Sequence, residues 1–88
     1  MMKIKDSFVL RNIAGNYVVV PIGKENIDFN GMMSLNETGA FLFEKLQNGI
    51  EEDALVQALT DTYEVSEEQA QQDIRNFIQK AQEEDLFE

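Results

Sequence analysis

Carboxylates and two tyrosines are the side chains of this 88-residue chain that could act as acids, bases or metal ligands. The chain has no His and no Cys, and therefore lacks the commonest general base and the thiolate nucleophile. Proton transfer would have to use a pair of carboxylates, or Asp and Glu with Tyr17 or Tyr63. A cation site built on Glu83, Glu84 and Asp85 is disfavoured, because consecutive helical side chains point in different directions. The sequence predicts a protein that is not an enzyme and that uses no cofactor and no metal.

The charge distribution excludes a second class of function. The net charge is −10, and residues 36–88 carry 14 acidic residues against three basic ones. Phosphate binding depends on clustered Lys and Arg, so no nucleic-acid partner is expected. The acidic residues indicate solvated helix faces or a basic partner. No apolar run approaches the ~20 residues of a membrane span, and the N-terminus has no signal-peptide pattern, so we expect a cytoplasmic protein without a membrane partner.

Three extended segments occupy the first third of the chain. Residues 8–13 and 17–22 are rich in β-branched and aromatic residues, and a Gly15-Asn16 pair between them favours a tight hairpin turn. A third segment, residues 27–35, alternates with period 2, and Gly31 interrupts it. The first face of this segment carries Ile27, Phe29, Gly31, Met33 and Leu35, and the second carries Asp28, Asn30, Met32 and Ser34.

Three helices follow the strands. The first begins with a cap at Ser34 or Asn36 and ends at Gly49, the second covers residues 51–62, and the third covers residues 66–85, opening on a Ser66 and Gln69 capping box. Helical spacing predicts buried stripes on each. The members are Leu42, Phe43 and Leu46, then Ala54, Leu55, Ala58 and Leu59, then Ala70, Ile74, Phe77, Ile78 and Ala81, with Leu86 and Phe87 as a terminal anchor.

The segregation of strands from helices predicts an α+β fold, in which a three-stranded antiparallel sheet precedes three helices. Two helices joined by a short turn beside a small sheet describe a winged helix-turn-helix, and residues 1–88 are expected to form one domain. DNA binding does not fit this fold here. The third helix would enter the groove, and it has only Arg75 and Lys80 against seven acidic residues between positions 66 and 88.

Peptide binding at a sheet edge fits the pattern better, because an edge strand presents unpaired N–H and C=O groups to which an extended peptide can add. The third extended segment is the predicted edge, with two adaptable methionines, and the third helix is the opposite wall. The predicted peptide-binding residues are Asp28, Phe29, Asn30, Met32, Met33 and Ser34 on the strand, and Gln71, Ile74, Arg75 and Ile78 on the helix. An open edge also permits a homodimer as well as a monomer.

The order and spacing of several short motifs resemble the PqqD-like proteins, also called RiPP recognition elements. The motifs are Val18-Val19-Val20-Pro21 in the second strand, Leu35-Asn36-Glu37-Thr38-Gly39 at the start of the first helix, Gly49 before an acidic helix start, and Tyr63-Glu64-Val65 before Ser66. The resemblance covers residues 8–87.

This resemblance implies a peptide chaperone that binds the leader of a ribosomally made precursor peptide and presents it to a modifying enzyme, often a radical SAM protein. The leader would pair with the third strand, residues 28–34, and lie against residues 71–78. Members dedicated to pyrroloquinoline quinone synthesis tend to end the first helix in Leu-Cys-Asp-Gly, whereas this chain has Leu46-Gln47-Asn48-Gly49, so a different modified peptide is expected. The alternative is an acidic interaction module that docks on another protein through its helices and binds no free peptide.

Overall fold

The computed structural model, which describes residues 2–22 and 33–88, has three strands followed by three helices. The strands are β1 (Phe8–Ile13), β2 (Asn16–Pro21) and β3 (Met33–Leu35), and the helices are α1 (Glu37–Gln47), α2 (Glu52–Thr62) and α3 (Glu67–Glu83). The sheet is antiparallel with β2 in the middle. The predicted α+β class is thus confirmed, while the winged description stays a prediction. The first part of the predicted third strand, residues 27–32, lies outside the described residues.

The hairpin between β1 and β2 turns one residue earlier than the sequence suggested. Ile13 pairs with Asn16, so the turn consists of Ala14 and Gly15, whose φ angles are 53° and 85°. Two positive φ angles fit the right-handed twist of the strands. Asn16, which was expected in the turn, is instead the first residue of β2. Gly15 accepts this backbone without cost, whereas Ala14 does so with steric strain at its Cβ.

We expect that Ala14→Asn will stabilise the protein by about 1 kcal/mol, because asparagine tolerates a positive φ that costs alanine roughly 1–2 kcal/mol. Ala14→Val is the matched control, because a β-branched side chain at this φ adds strain. Urea unfolding at neutral pH measures the difference. A valine variant as stable as the asparagine variant would contradict the turn geometry.

The core lies between the sheet and the three helices, as the apolar stripes predicted. Leu42, Phe43 and Leu46 of α1 are at most 1% exposed. On α2 only half of the predicted stripe is buried: Leu55 and Leu59 face the core, whereas Ala54 is exposed. The buried cluster consists of Ile4, Phe8, Val19, Met33, Leu42, Phe43, Leu46, Leu55, Leu59, Ala70, Ile74, Phe77, Ala81 and Leu86.

Side-chain caps fix where α1 and α3 begin. The Gly39 N–H donates to Asn36 Oδ1 at 2.7 Å, so Asn36 and not Ser34 is the N-cap of α1. The Gln69 N–H donates to Ser66 Oγ at 3.0 Å, as predicted for α3. The Gln69 side chain donates to Asp73 Oδ1 at 2.8 Å, and the Ser66 N–H makes no hydrogen bond to Gln69 among the described residues, so the expected reciprocal capping box is not formed.

Residues 2–5 form a short extended segment that the sequence did not predict. Met2 exchanges backbone hydrogen bonds with Ile50, and Ile4 bridges to Phe87. The Lys3 ammonium donates to Glu88 Oε2 at 2.8 Å and to Asp6 Oδ1 at 2.9 Å, and these bonds raise the pKa of Lys3 above its usual value. The segment therefore ties the end of α1 to the residues that follow α3.

None of the described helices is long and apolar enough to cross a bilayer.

Candidate functional site

The outer edge of β3 presents the main-chain groups of Ser34. In an antiparallel ladder, residues alternate between bonding to one neighbour and bonding to the other. The Ile22 N–H donates to Ser7 O at 2.7 Å, so even-numbered residues of β2 bond towards β1. The odd-numbered Tyr17 and Val19 must then bond to their partners in β3, which are Leu35 and Met33.

It follows that Ser34, which lies opposite Val18, points its N–H and C=O away from β2. Within residues 2–22 and 33–88, no other strand pairs with that side of β3. Its side chain is exposed. Among the described residues, this main-chain donor and acceptor pair forms the unpaired edge that strand addition requires.

The opposite edge of the sheet, along β1, is partly closed. The Phe8 N–H donates to Lys5 O at 3.2 Å, and Phe8 O accepts from Gln47 Nε2 at 2.9 Å. Gln47 occupies the position at which proteins dedicated to pyrroloquinoline quinone synthesis tend to carry a cysteine. A cysteine has no amide group and could not donate this hydrogen bond to the Phe8 carbonyl. Phe8 is thus closed to an added strand, whereas Leu10 on the same edge and Ser34 on β3 have no such partner among the described residues.

A cleft of about 340 Å³ opens beside β3, between the start of α1 and one side of α3. Its apolar residues include Leu42 and Phe77, which are 1% and 7% exposed. Gly39 lets the start of α1 pack closely against the end of β3, because a Cβ there would lie only 3.2–3.3 Å from atoms of Asn36 and Leu35. The full lining is Ser34, Leu35, Asn36, Thr38, Gly39, Leu42, Asp73, Asn76, Phe77 and Lys80.

The α3 wall of the cleft is polar and carries both signs of charge. Asp73 accepts from Gln69, and the Asn76 Oδ1 accepts from Gln72 Nε2 at 3.1 Å. The Lys80 ammonium makes no hydrogen bond or ion pair with any residue in the described part of the chain. The cleft thus combines an apolar floor with a free ammonium at one end and a carboxylate at the other.

The predicted strand residues divide into three groups. Met33 is 6% exposed and packs in the core, and Ser34 lines the cleft. Among the described residues of this strand the predicted alternation therefore holds, with the Met33 side chain turned inwards and the Ser34 side chain outwards. The remaining predicted residues, Asp28, Phe29, Asn30 and Met32, lie outside the described residues.

The predicted residues of α3 lie on a different side of the helix from the cleft. Gln71, Ile74 and Arg75 line a second, smaller cavity of about 160 Å³ against α2. Ile74 is 1% exposed and belongs to the core, and Ile78 is half-buried against that core. Their part in peptide binding stays a prediction, because the cleft beside β3 has a different α3 wall.

The α3 residues that do face β3 are Asp73, Asn76, Phe77 and Lys80. Their spacing of three, four and seven residues is that of one helical face. This face was missed in the sequence because the most apolar stripe of the helix lies elsewhere. The sequence assigned Phe77 to the buried stripe with Ile74, and the polar residues around it gave no signal of a binding face.

Residues 2–22 and 33–88 show no catalytic or metal-binding cluster of side chains. In that part of the chain no polar or charged side chain is buried, and no three acidic residues are grouped so that they could hold a metal ion. Burial raises the pKa of the Tyr63 hydroxyl, and the nearby Glu37 and Glu44 raise it further. This phenol packs edge-on against Phe41, with ring centroids 5.5 Å apart, and does not line the cleft.

Comparison with known proteins places the chain in a family. Among curated proteins none has a matching sequence. The solved structure "TbiB1 in Complex with the TbiA(beta) Leader Peptide" has a similar fold, with a TM-score of 0.77 and 23% identity over 99% of this chain and 95% of that one. The family model described as "Coenzyme PQQ synthesis protein D (PqqD)" matches residues 16–86. The sequence resemblance is therefore confirmed, and the chain belongs to the PqqD family.

Proposed function

We propose that residues 1–88 act as one peptide-binding domain, which takes up the leader of a ribosomally made precursor peptide as an added strand along β3. The observation that carries the proposal is that the outward main-chain groups of Ser34 lie beside a cleft with an apolar floor. Membership of the PqqD family supports it. The structural neighbour, which is a complex with a leader peptide, supports the same kind of ligand.

The energetics require both the edge and the cleft. About four added backbone hydrogen bonds contribute roughly 2–6 kcal/mol at ~0.5–1.5 kcal/mol each. Association and ordering cost about 4–15 kcal/mol. The backbone ladder alone would therefore hardly bind a peptide. Two or three apolar side chains, worth ~1.5–3 kcal/mol each, would supply the remainder by packing over Leu35, Leu42 and Phe77.

The protein is proposed to deliver its ligand to a separate enzyme and not to modify it. Carboxylates are its only abundant reactive groups, and those at the starts of the helices, such as Glu52 and Glu67, are accounted for by the helix dipole. The resemblance to PqqD-like proteins favours a radical SAM enzyme as the partner. Gln47, which contacts β1, replaces the cysteine that proteins dedicated to pyrroloquinoline quinone synthesis tend to carry. We therefore propose that the product is another modified peptide.

Calorimetric titration tests the binding step. The probes are the leader half and the core half of a precursor peptide encoded beside this gene. We expect heat from the leader half and from the whole precursor, and none from the core half. Mass spectrometry of the precursor after incubation with this protein alone should show an unchanged mass, because modification requires the second enzyme.

Heat from the core half only, or from neither half, would contradict the proposal. Capture of the modifying enzyme without any leader binding would favour the acidic interaction module instead. Charge reversal at Glu67 and Glu68 would then abolish the capture, since both carboxylates are exposed at the start of α3. Ile74 is unsuitable for such a test, because a charge at this fully buried position would unfold the core.

A further inference from the structure

Two opposite charges mark the α3 wall of the cleft, and neither is neutralised by another charge in the described part of the chain. The Lys80 ammonium has no hydrogen-bond or ion-pair partner there. Asp73 accepts one hydrogen bond, on Oδ1, from the uncharged Gln69 side chain. Its second oxygen has no described partner and is left to accept from a ligand.

The distance between these charges lies between two repeats of an extended peptide. Seven residues separate Asp73 from Lys80, which corresponds to about 10 Å along the helix axis. Side chains on one face of a strand recur every two residues, at about 7 Å, and again at about 13 Å. Both charged side chains are flexible enough to meet a partner two or four residues apart in the same strand. Phe77 lies between them in the cleft.

We propose that Asp73 and Lys80 recognise a fixed order of charges in the leader: one basic and one acidic side chain, two or four residues apart. The basic side chain pairs with Asp73, and the acidic side chain pairs with Lys80. An apolar side chain between them packs against Phe77. This inference rests on the proposed function, and it adds the chemical class of the ligand.

The acidic residue is the informative part of this pattern. The protein carries a net charge of −10, so unspecific attraction favours basic peptides throughout. Selection of a carboxylate at one position of the peptide therefore requires a local cation. Within the cleft, Lys80 is the one cationic side chain among the described lining residues.

Selection from a displayed library of random 12-residue peptides tests the proposal and does not require the natural leader. The wild type is compared with the double variant Asp73→Lys/Lys80→Glu, which keeps the net charge and exchanges the two signs. The matched control is Glu44→Lys/Lys45→Glu, which keeps the net charge and exchanges two exposed charges on α1, outside the cleft. Circular dichroism verifies that each variant is folded.

We expect the wild type to enrich peptides with one order of basic and acidic residues, the double variant to enrich the reverse order, and the control to match the wild type. Changing the acidic residue of an enriched peptide to Lys should weaken binding to the wild type about two- to fivefold, the range of exposed charge pairs, and Lys80→Glu should restore it.

The remaining outcomes each overturn one proposal. Enriched peptides whose charge order is the same on the wild type and on the double variant would overturn the charge recognition and leave strand addition in place. A control that alters the order would show that selection follows charges outside the cleft, and would also overturn it. A library that yields no binder to the folded wild type would overturn the proposed function itself.

Discussion

Ser34→Pro is expected to lower the affinity for the leader at least about tenfold, because it removes an outward backbone donor and places a ring where the added strand must approach. The Ser34 N–H points away from β2, so no hydrogen bond of the β2–β3 ladder is lost. Proline is tolerated on edge strands for this reason, and the fold should persist. Titration with the leader half of the precursor measures the effect.

Ser34→Ala is the control for this prediction. It removes the hydroxyl but keeps the backbone N–H, so it should bind the leader as the wild type does. Urea unfolding of both variants shows that the fold is retained. If the proline variant bound as tightly as the alanine variant, the leader would not use this edge.

Phe43→Ala is expected to cost about 3–5 kcal/mol of stability, because it leaves a cavity in a well-packed core. Phe43 is fully buried in α1, and α1 also supplies one wall of the cleft. Small domains have total stabilities near 5–15 kcal/mol, so a large part of the folding free energy would be lost. Urea unfolding followed by circular dichroism measures the change.

Phe41→Ala is the matched control on the same helix. Phe41 is only half-buried, and its ring packs edge-on against Tyr63 with the Lys45 ammonium 5.5 Å from its centroid. Such contacts contribute about 0.5–1.5 kcal/mol beyond the area buried, so this variant should remain well folded. Equal losses for the two variants would show that Phe43 is not at the centre of the core.

The helices could be predicted from the sequence because their signals are local. The stripe of Leu42, Phe43 and Leu46 and the caps around Ser66 and Gly49 depend on residues within two turns of one another. Gly49, with a φ of 78°, ends α1 as expected. The alternation of Met33 and Ser34 was predictable for the same reason, since a strand needs only period 2.

The pairing of distant segments could not be predicted in this way. The contacts of residues 2–5 with Ile50 and Phe87 join positions more than forty residues apart and leave no periodic pattern. The α3 wall of the cleft was missed for a related reason. Which side of α3 faces β3 depends on how the helix packs as a whole, and the apolar stripe through Ile74 points to the core and to α2 instead.

Backbone amide hydrogen exchange, followed by NMR with and without the leader, tests strand addition at β3 most directly. We expect the leader to slow exchange at Ser34 strongly, since its N–H gains a partner. Exchange at Met33 and Leu35 should change less, because those groups already bond to β2. A leader that binds while Ser34 exchanges as fast as before, or that instead protects Leu10 on the outer edge of β1, would contradict strand addition at β3.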